Sequence, residues 1–251
     1  MNIIHIETVD STNTYLKRLI DKEVLEEGTV IVTNNQTAGK GQRGNSWESE
    51  AGKNITCSML LYPTFLPVQR FFLLSEVVSL GVKETLDAYT DRITIKWPND
   101  IYHNERKIAG ILIENGFIGN EFNLSIAGIG LNINQEHFLS DAPNSVSLKQ
   151  ITGKSYDTEV ILEELSKNIF KKYLRLMAGL SDSIILEYHK ALYRKTGFHR
   201  YEDHNGIFNA YIDFISEDGL LHLVTDLNEE RIYAFKDVRF INFKTLEISS
   251  V

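Results

Sequence analysis

The stretch Lys96-Trp97-Pro98-Asn99-Asp100 is followed seven residues later by Lys107 and then by Gly110, and the chain is organised around this segment. Residues 92–96 alternate polar and apolar side chains, as half-buried strands do. The proline has no N–H group to donate to a sheet ladder, so we expect the strand to end before it. The amide and the carboxylate that follow are therefore predicted to lie just beyond the end of a strand.

The residues after this stretch predict a hairpin. The polar group 103–106 is typical of a hairpin loop, and residues 107–114 predict its second strand. An amide, a carboxylate and the ammonium of Lys107 are thus expected around one hairpin. Gly110 has no side chain, so another group can come close to the backbone there. The pattern predicts a cluster of polar groups beside an open stretch of backbone.

Length and composition are those of an ordinary globular protein. The 251 residues suffice for one large domain, or for a large domain and a small one. Apolar residues make up 43% and charged residues 24%, and the formal net charge is −8. This charge argues against sequence-independent binding of nucleic acid or anionic membranes. It is compatible with a phosphate-bearing small molecule held by a few local cations.

Targeting and redox signals are few. The N-terminal residues lack the basic and long apolar regions of a signal peptide, and no apolar run approaches about 18 residues, so we expect neither a leader nor a membrane span. Cys57 is the single cysteine, which excludes an internal disulfide and fits a reducing cytoplasm. Its alternating surroundings predict a buried core thiol. The histidines lack metal-ligand spacing, so no structural zinc site is predicted.

The remaining hydrophobic periodicity predicts both strands and helices. Strands are expected at 3–7, 29–33, 54–62 and 123–132, and helices at 14–22, 68–89, 158–177 and 183–193. From about residue 205 the pattern changes to short alternating segments at 206–215, 220–225, 231–235 and 238–243. Short strands at this spacing predict a small barrel. We therefore expect a domain boundary near residues 197–204.

Two glycine patterns suggest ligand contacts. Residues 34–47 contain three glycines, two cations and almost no apolar side chains, which predicts a mobile loop. Lys40 and Arg43 could wrap an anion with help from backbone N–H groups, or they could serve only to keep the loop in solvent. Gly128 and Gly130 lie on one face of a predicted strand. They either clear a shelf for a ligand or ease the twist and packing of the strand.

Four segments together resemble biotin–protein ligases. They are Asp10-Ser11-Thr12-Asn13, the glycine loop 38–44 with Trp47, the stretch 96–110, and Gly128-Ile129-Gly130-Leu131-Asn132. The resemblance implies an α+β fold in which helices flank a mixed sheet. It also implies two domains, a catalytic domain over residues 1–197 and a small SH3-like β-barrel over residues 198–251.

The resemblance implies a two-step reaction. Biotin and ATP, accompanied by Mg²⁺, would form biotinyl-5′-AMP, and the amine of a carrier lysine would then take the biotinyl group. The implied catalytic residues are Lys107, Asp100 and Arg43. Lys107 would offset the charge between two anions, because its strand holds the ammonium at their junction. Asp100 would orient Lys107, lie near the incoming lysine, or cap the hairpin.

The implied binding residues divide into two groups. Those for biotin are Ser11, Thr12, Gln36, Gly39, Lys40, Gly110, Gly128 and Gly130. Those for ATP and the adenylate are Arg43, Trp47, Lys107 and Asn132. A pocket of hydroxyls and amides suits a ureido group, which has two donors and one acceptor. For Ser11, helix capping is an alternative, and Trp47 would pack on the purine as the loop closes. No protein-held metal is implied.

The chain departs from the usual pattern of these ligases in two respects. Gln42 and Asn45 stand where arginines are common, so either Lys40 and Arg43 take over the anion contact or the adenylate is held less tightly. The Asp10–Asn13 segment comes too early for the N-terminal DNA-binding module of some relatives, so no nucleic-acid partner is expected.

The implied partner is the biotin carboxyl carrier domain of acetyl-CoA carboxylase or a related carboxylase, with cytoplasmic localisation and either a monomer or a homodimer. The alternatives are a lipoate- or octanoate-transferring enzyme of the same fold, and a biotin or adenylate sensor without turnover.

Overall fold

The computed structural model describes residues 2–139 and 144–241, except the side chain of Arg43. The strands are β1 (Ile3–Val9), β2 (Val30–Gln36), β3 (Ile55–Leu61), β4 (Ile93–Lys96), β5 (Asp100–His103), β6 (Arg106–Ile118), β7 (Glu121–Leu131), β8 (His199–Asp203), β9 (Gly206–Ile215), β10 (Leu221–Thr225), β11 (Glu230–Tyr233) and β12 (Arg239–Phe240). The helices are α1 (Thr12–Ile20), α2 (Phe72–Asp87), α3 (Leu148–Thr152), α4 (Thr158–Met177) and α5 (Ser181–Ala191). Among the described residues, no helix has the length and apolar character needed to cross a membrane.

The first seven strands form one mixed sheet in the order β1-β2-β3-β7-β6-β5-β4. β1 and β2 are parallel, and α1 lies in the connection between them. All other neighbours in this sheet are antiparallel. The predicted α+β class with a mixed sheet is confirmed.

Alternation along β3 shows which side of the sheet each helix covers. Ile55 and Met59 belong to the large core that also contains the apolar residues of α2 and α4. Leu60 belongs to a smaller cluster with Leu16 of α1. Because successive side chains point to opposite faces, Ser58 lies on the α1 side. Cys57 faces the large core as the predicted buried thiol, and its burial raises its pKa to about 12.

The central hairpin differs from its prediction at Asp100. β4 ends at Lys96, before the proline, as expected, and Trp97–Pro98 is a cis peptide bond. Asp100 then starts β5 and pairs with Lys96 on one side and Gly110 on the other. It is therefore part of the sheet rather than a residue beyond a strand. The proline interrupts the ladder, but pairing with β6 resumes directly after it.

The glycine loop is folded rather than irregular. Lys40 and Ser46 form an antiparallel bridge around a 3₁₀ turn at Gln42–Gly44. The N–H of Gly41 donates to the carbonyl of Asn45 at 2.7 Å, and the N–H of Trp47 donates to the carbonyl of Gly39 at 3.0 Å. The prediction of a loop without an element of its own was wrong, because these backbone bonds close a small hairpin.

The C-terminal strands form a second, antiparallel sheet in the order β11-β10-β9-β8-β12. It matches the predicted small β domain, although β8 was assigned to the boundary region. The last predicted strand, 238–243, appears as β12, and residues 242–243 lie outside the described residues. The two sheets meet at Trp97, whose Nε1 donates to the carbonyl of Gly219 at 2.9 Å. The central hairpin therefore lies against the C-terminal sheet.

Candidate active site

A cleft of about 1250 Å³ opens on the α1 side of the large sheet and extends to the C-terminal sheet. It is lined by most of the residues predicted to form the site: Ser11, Thr12, Gln36, Lys40, Trp47, Asp100, Lys107, Gly110, Gly128, Gly130 and Asn132. Residues 235–241 supply part of the opposite wall. Segments far apart in the sequence thus come together in one cavity.

Lys107 and Asp100 form an ion pair in this cleft. Lys107 Nζ lies 2.6 Å from Asp100 Oδ1, and both side chains are about one-quarter exposed. The pair is formed across neighbouring strands, since β5 and β6 are hydrogen-bonded. Of the arrangements expected for Asp100, the contact with Lys107 is present, and its role stays a prediction. A hydrogen-bonded carboxylate limits the positions that the ammonium can occupy.

A second cation, Lys96, lies beside this pair. Its Nζ donates to the hydroxyl of Tyr102 at 3.0 Å and lies 5.3 Å from the centre of the Phe240 ring. Burial lowers the pKa of Lys96 below its usual value, and the nearby carboxylate of Asp100 acts in the opposite direction. Sequence reasoning quoted Lys96 but assigned it no role. Its position between the central hairpin and the C-terminal sheet depends on contacts that only the fold reveals.

Asn99 acts within the sheet. Its Nδ2 donates to the carbonyl of Ile111 at 2.7 Å, and its carbonyl accepts the N–H of Ile111 at 3.0 Å. These two bonds attach the connection between β4 and β5 to β6. The side chain of Asn99 therefore contacts the backbone of a neighbouring strand rather than that of its own turn.

The polar end of the cleft lies at the start of α1. Ser11 occupies the N-cap position of α1, but its side chain makes no capping hydrogen bond. The alternative of helix capping for Ser11 is therefore not what the structure shows. The backbone N–H of Thr12 donates to Gln36 Oε1 at 3.0 Å, which fixes the amide of Gln36 beside the cleft. Ser11, Thr12 and Asn13 are all nearly fully buried.

Asn13 is a cleft residue that the sequence analysis did not assign. Its Nδ2 donates to Glu114 Oε2 at 2.7 Å, and its Oδ1 lies 2.5 Å from Ser58 Oγ. A Cβ placed on Gly128 would lie 2.4 Å from Asn13 Oδ1. The space beside Gly128 is therefore filled by the side chain of Asn13 and is not an open shelf for a ligand. The signal available in the sequence was the position of Asn13 directly after Ser11 and Thr12.

Trp47 lies over the other glycines. A Cβ on Gly130 would lie 2.2 Å from Trp47 Cε2, and a Cβ on Gly110 would lie 2.8 Å from Trp47 Cζ3. The two glycines are direct partners in the β6–β7 ladder, so they form one flat area of sheet. Lys107 Nζ lies 5.5 Å from the centre of the Trp47 ring. The area predicted to border biotin is thus covered by an indole ring.

Gly39 closes the loop that carries this ring. A Cβ at Gly39 would lie 2.4 Å from the carbonyl oxygen of Trp47 and 2.7 Å from Gln36 Nε2. Its role in the structure is therefore close backbone packing within the loop. The ammonium of Lys40 donates to Thr14 Oγ1 at 3.0 Å, at the α1 end of the cleft. The side chain of Arg43 lies outside the described groups, so its predicted anion contact stays a prediction.

Asn132 presents an unused acceptor. Its Nδ2 donates to the carbonyl of Val146 at 3.2 Å, which fixes the orientation of the amide. Within the described parts of the chain, Asn132 Oδ1 and Trp47 Nε1 are buried and have no hydrogen-bond partner. Buried polar atoms without partners are rare because they have lost their hydration. A ligand in the cleft can supply both missing hydrogen bonds.

A metal site made by the protein alone is not apparent. Across residues 2–139 and 144–241, no group of three or more His, Cys, Asp or Glu side chains could hold a metal ion. The carboxylate of Asp100, in the cleft, is engaged by Lys107. The described residues thus offer Mg²⁺ no cage of their own, and this ion is commonly held by substrate phosphates and water.

Comparison with known proteins agrees with this fold. The chain is 30% identical over 240 residues to the Bifunctional ligase/repressor BirA of Bacillus spizizenii. The alignment covers 93% of this chain and 72% of that protein. The chain is 31% identical over 150 residues to the Biotin–[acetyl-CoA-carboxylase] ligase of Mycobacterium tuberculosis, covering 57% of this chain and 53% of that protein.

Solved structures share the fold. The biotin protein ligase from Aquifex aeolicus in complex with biotin and ATP superposes with a TM-score of 0.78 at 24% identity, covering 96% of this chain and 99% of that one. The model of the Biotin/lipoate A/B protein ligase family matches residues 5–133, which include the start of α1, the glycine loop, Lys107 and Asn132. The chain belongs to the Biotin/lipoate A/B protein ligase family.

Proposed function

We propose that this protein is a biotin–protein ligase that joins biotin to a lysine of a carrier domain through biotinyl-5′-AMP. The observation that carries the proposal is the Lys107–Asp100 ion pair, which lies in one cleft with a polar pocket at Thr12 and Gln36 and a buried free acceptor at Asn132. The relatives that bear the name of biotin ligase support the choice of biotin among the acids used by the family.

In the first step, the carboxylate of biotin attacks the α-phosphate of ATP, and pyrophosphate leaves. Two anions must approach each other, so a fixed positive charge lowers the barrier. Lys107 supplies this charge, and Asp100 holds its ammonium in place. The half-buried position of the pair strengthens the effect, because water screens charges less there.

The two ends of the cleft suit the two substrates. The hydroxyl and amide groups at Thr12 and Gln36 match the ureido group of biotin, which has two N–H donors and one carbonyl acceptor. Asn132 Oδ1 can accept a hydrogen bond from an amino or hydroxyl group of the nucleotide. Trp47 offers a flat apolar surface next to Lys107. The reacting groups would then meet between these ends, beside the ammonium.

In the second step, the amine of the carrier lysine attacks the acyl carbon of biotinyl-5′-AMP, and AMP leaves. The amine must lose a proton as the amide bond forms. The glycine loop shields the mixed anhydride from water before that attack. We propose the carrier domain of acetyl-CoA carboxylase, or of a related carboxylase, as the acceptor, since a relative bears that substrate in its name.

Exchange of labelled pyrophosphate into ATP tests the first step. The exchange should depend on biotin, and neither lipoate nor octanoate should replace it. Exchange that follows lipoate or octanoate would assign the chain to the other branch of the family. No exchange with any of the three acids, together with tight biotin binding, would indicate a sensor. Transfer of labelled biotin to a purified carrier domain tests the second step.

A further inference from the structure

A line of hydrogen bonds runs from the surface of the protein to the polar end of the cleft. Lys17 Nζ donates to Glu114 Oε1 at 2.7 Å, and Asn13 Nδ2 donates to Glu114 Oε2 at 2.7 Å. Ser58 Oγ then lies 2.5 Å from Asn13 Oδ1 and 2.7 Å from Thr12 Oγ1. Only Asn13 and Thr12 in this line border the cleft among the residues that the structure describes.

The direction of each bond follows from the chemistry of Glu114. An ionised carboxylate only accepts hydrogen bonds. Burial raises the pKa of Glu114, but the hydrogen bonds from Lys17 and Asn13 lower it by more, so the pKa lies below its usual value. The group is therefore charged at neutral pH, and Lys40 adds a further nearby positive charge. The amide of Asn13 must turn its NH₂ group to Glu114 and its oxygen to Ser58.

The distances then favour one arrangement of the two hydroxyl groups. Asn13 Oδ1 can only accept, so Ser58 donates its single hydrogen to it. Ser58 Oγ is left as the acceptor for Thr12 Oγ1, at 2.7 Å. The alternative partner of the Thr12 hydroxyl is Gln36 Oε1 at the longer distance of 3.4 Å. With its hydrogen directed at Ser58, Thr12 Oγ1 presents lone pairs to the cleft.

This inference rests on the proposed function. We propose that Glu114 and Ser58 are positioning residues that set the hydrogen-bond direction at Thr12, so that Thr12 Oγ1 accepts a hydrogen bond from a ligand N–H group. The ligand class that fits is a cyclic urea, whose N–H groups are donors. In an analogue with oxygen in place of that N–H, the ring oxygen and Thr12 Oγ1 would both be acceptors and could not form a hydrogen bond. Recognition of an N–H group is thus decided by an ionised carboxylate outside the cleft.

The first test removes the middle of the line. Ser58→Ala frees the Thr12 hydroxyl to rotate and donate into the cleft. The carbamate analogue of biotin has oxygen in place of one N–H group. We expect the ratio of its dissociation constant to that of biotin, measured by calorimetry, to fall by about tenfold. Lys22→Met is the control, because Lys22 is exposed and lies outside this line, and its preference should equal that of the unaltered protein. An unchanged preference in Ser58→Ala would overturn the proposal.

The second test exchanges the acid and the amide. Asn13→Asp places a second carboxylate against Glu114, and we expect it to weaken biotin binding by about tenfold or more. In Asn13→Asp with Glu114→Gln, the new amide can donate to Asp and accept from Lys17, while the Asp oxygen still accepts from Ser58. Binding should return to within about threefold of the original. If the double variant binds biotin no more tightly than Asn13→Asp does, the proposed line of hydrogen bonds is contradicted.

The exchange also has a readout without ligand. The free energy of unfolding should fall in Asn13→Asp and recover in the double variant, because the same hydrogen bonds are lost and restored. If the unaltered protein binds no biotin, the proposed function fails, whereas the unfolding measurements still decide whether the line of hydrogen bonds exists. Recovery in unfolding but not in binding would reject the role of Glu114 in recognition.

Discussion

Among single residues, Lys107 is the one whose replacement should change the activity most directly. Lys107→Ala removes the ammonium that is held by Asp100 at 2.6 Å. We expect biotin-dependent pyrophosphate exchange to fall about 10²–10³-fold, the range found when one electrostatic donor is removed from an active site. Arg106→Ala, the exposed neighbour on the same strand, is the matched control and should keep full exchange. Equal activity of both variants would remove Lys107 from the mechanism.

Gly130 is the residue whose replacement most directly tests the position of Trp47. A Cβ there would lie 2.2 Å from Trp47 Cε2, so Gly130→Ala must displace the ring. We expect a loss of about 1–3 kcal/mol in the free energy of unfolding, the usual range for overpacking. The same substitution in a Trp47→Ala background should cost much less. Equal losses in both backgrounds would show that the indole lies elsewhere in solution.

Most of the site residues predicted from the sequence line the cleft, but the sequence did not predict the contacts that orient them. Motifs singled out Thr12, Lys107 and Asn132 because their spacing matches a family. The pairing of Asn13 with Glu114 joins residues 101 positions apart, and no local pattern carries that information. Glu114 is a charged residue in an alternating strand, which is normally interpreted as facing solvent. Only the fold shows that it holds a cleft residue.

Elements were predictable where local signals were strong. α4 covers Thr158–Met177, as predicted, because its apolar period is regular and Asp157 caps it by accepting the N–H of Glu159 at 2.9 Å. β8 was missed because Tyr201 is the one large apolar residue among its five positions. α3 was missed because five residues give too few turns for a period to show.

The packing of α2 on α4 depends on Gly81. A Cβ at Gly81 would lie 2.5 Å from Ile169 Cγ1 and 2.6 Å from Ile169 Cα, so the two backbones are in close approach. Gly81→Ala should lower the free energy of unfolding by about 1–3 kcal/mol or more, despite the higher helix propensity of alanine. Lys83→Ala on the same helix removes only an ion pair and should cost less than about 1 kcal/mol. Denaturant unfolding compares the two, and similar costs would contradict this packing.

The glycine loop gives an element-scale test of ligand binding. The N–H groups of Gly41 and Trp47 are hydrogen-bonded within the loop. Biotin and ATP together should slow their exchange with deuterium, because the loop would close over the ligands. The N–H of Gly153, bonded at the end of α3, should exchange at the same rate with and without ligands. Unchanged exchange at both loop positions would contradict closure.

At the scale of the whole molecule, a buried acid lies near the junction of the two sheets. Glu76 of α2 is 3% exposed, and Arg70 close to it is paired with Glu217 of the C-terminal sheet region at 2.8 Å. Burial raises the pKa of Glu76 from 4.5 to about 8, with Arg70 opposing the shift. The folded protein therefore keeps a proton that the unfolded chain has released. Stability is greatest below about pH 4.5 as far as this group is concerned, and it falls as the pH rises to about 8.

Glu76→Gln should remove this dependence. Between pH 5 and pH 9 the variant should lose less stability than the unaltered protein, and the difference at pH 9 should be a few kcal/mol in its favour. Denaturant unfolding at several pH values measures it. Exposed Glu163→Gln, on α4, is the control and should follow the unaltered protein. Parallel pH curves for Glu76→Gln and the unaltered protein would show that the carboxyl is not buried in a neutral form.

The cleft is bordered by residues from Ser11 to Ile241, so its walls are synthesised at different times. Ribosomes add about 5–20 residues per second, so the last wall of the cleft emerges roughly 10–50 s after the first. All strands of the large sheet precede the C-terminal strands in the chain. Lys107 and Asp100, which lie on strands of the large sheet, are therefore synthesised well before residues 238–241 of the cleft wall. Under the proposed function, the cavity that shields the water-sensitive adenylate is complete only after the C-terminal strands have been added.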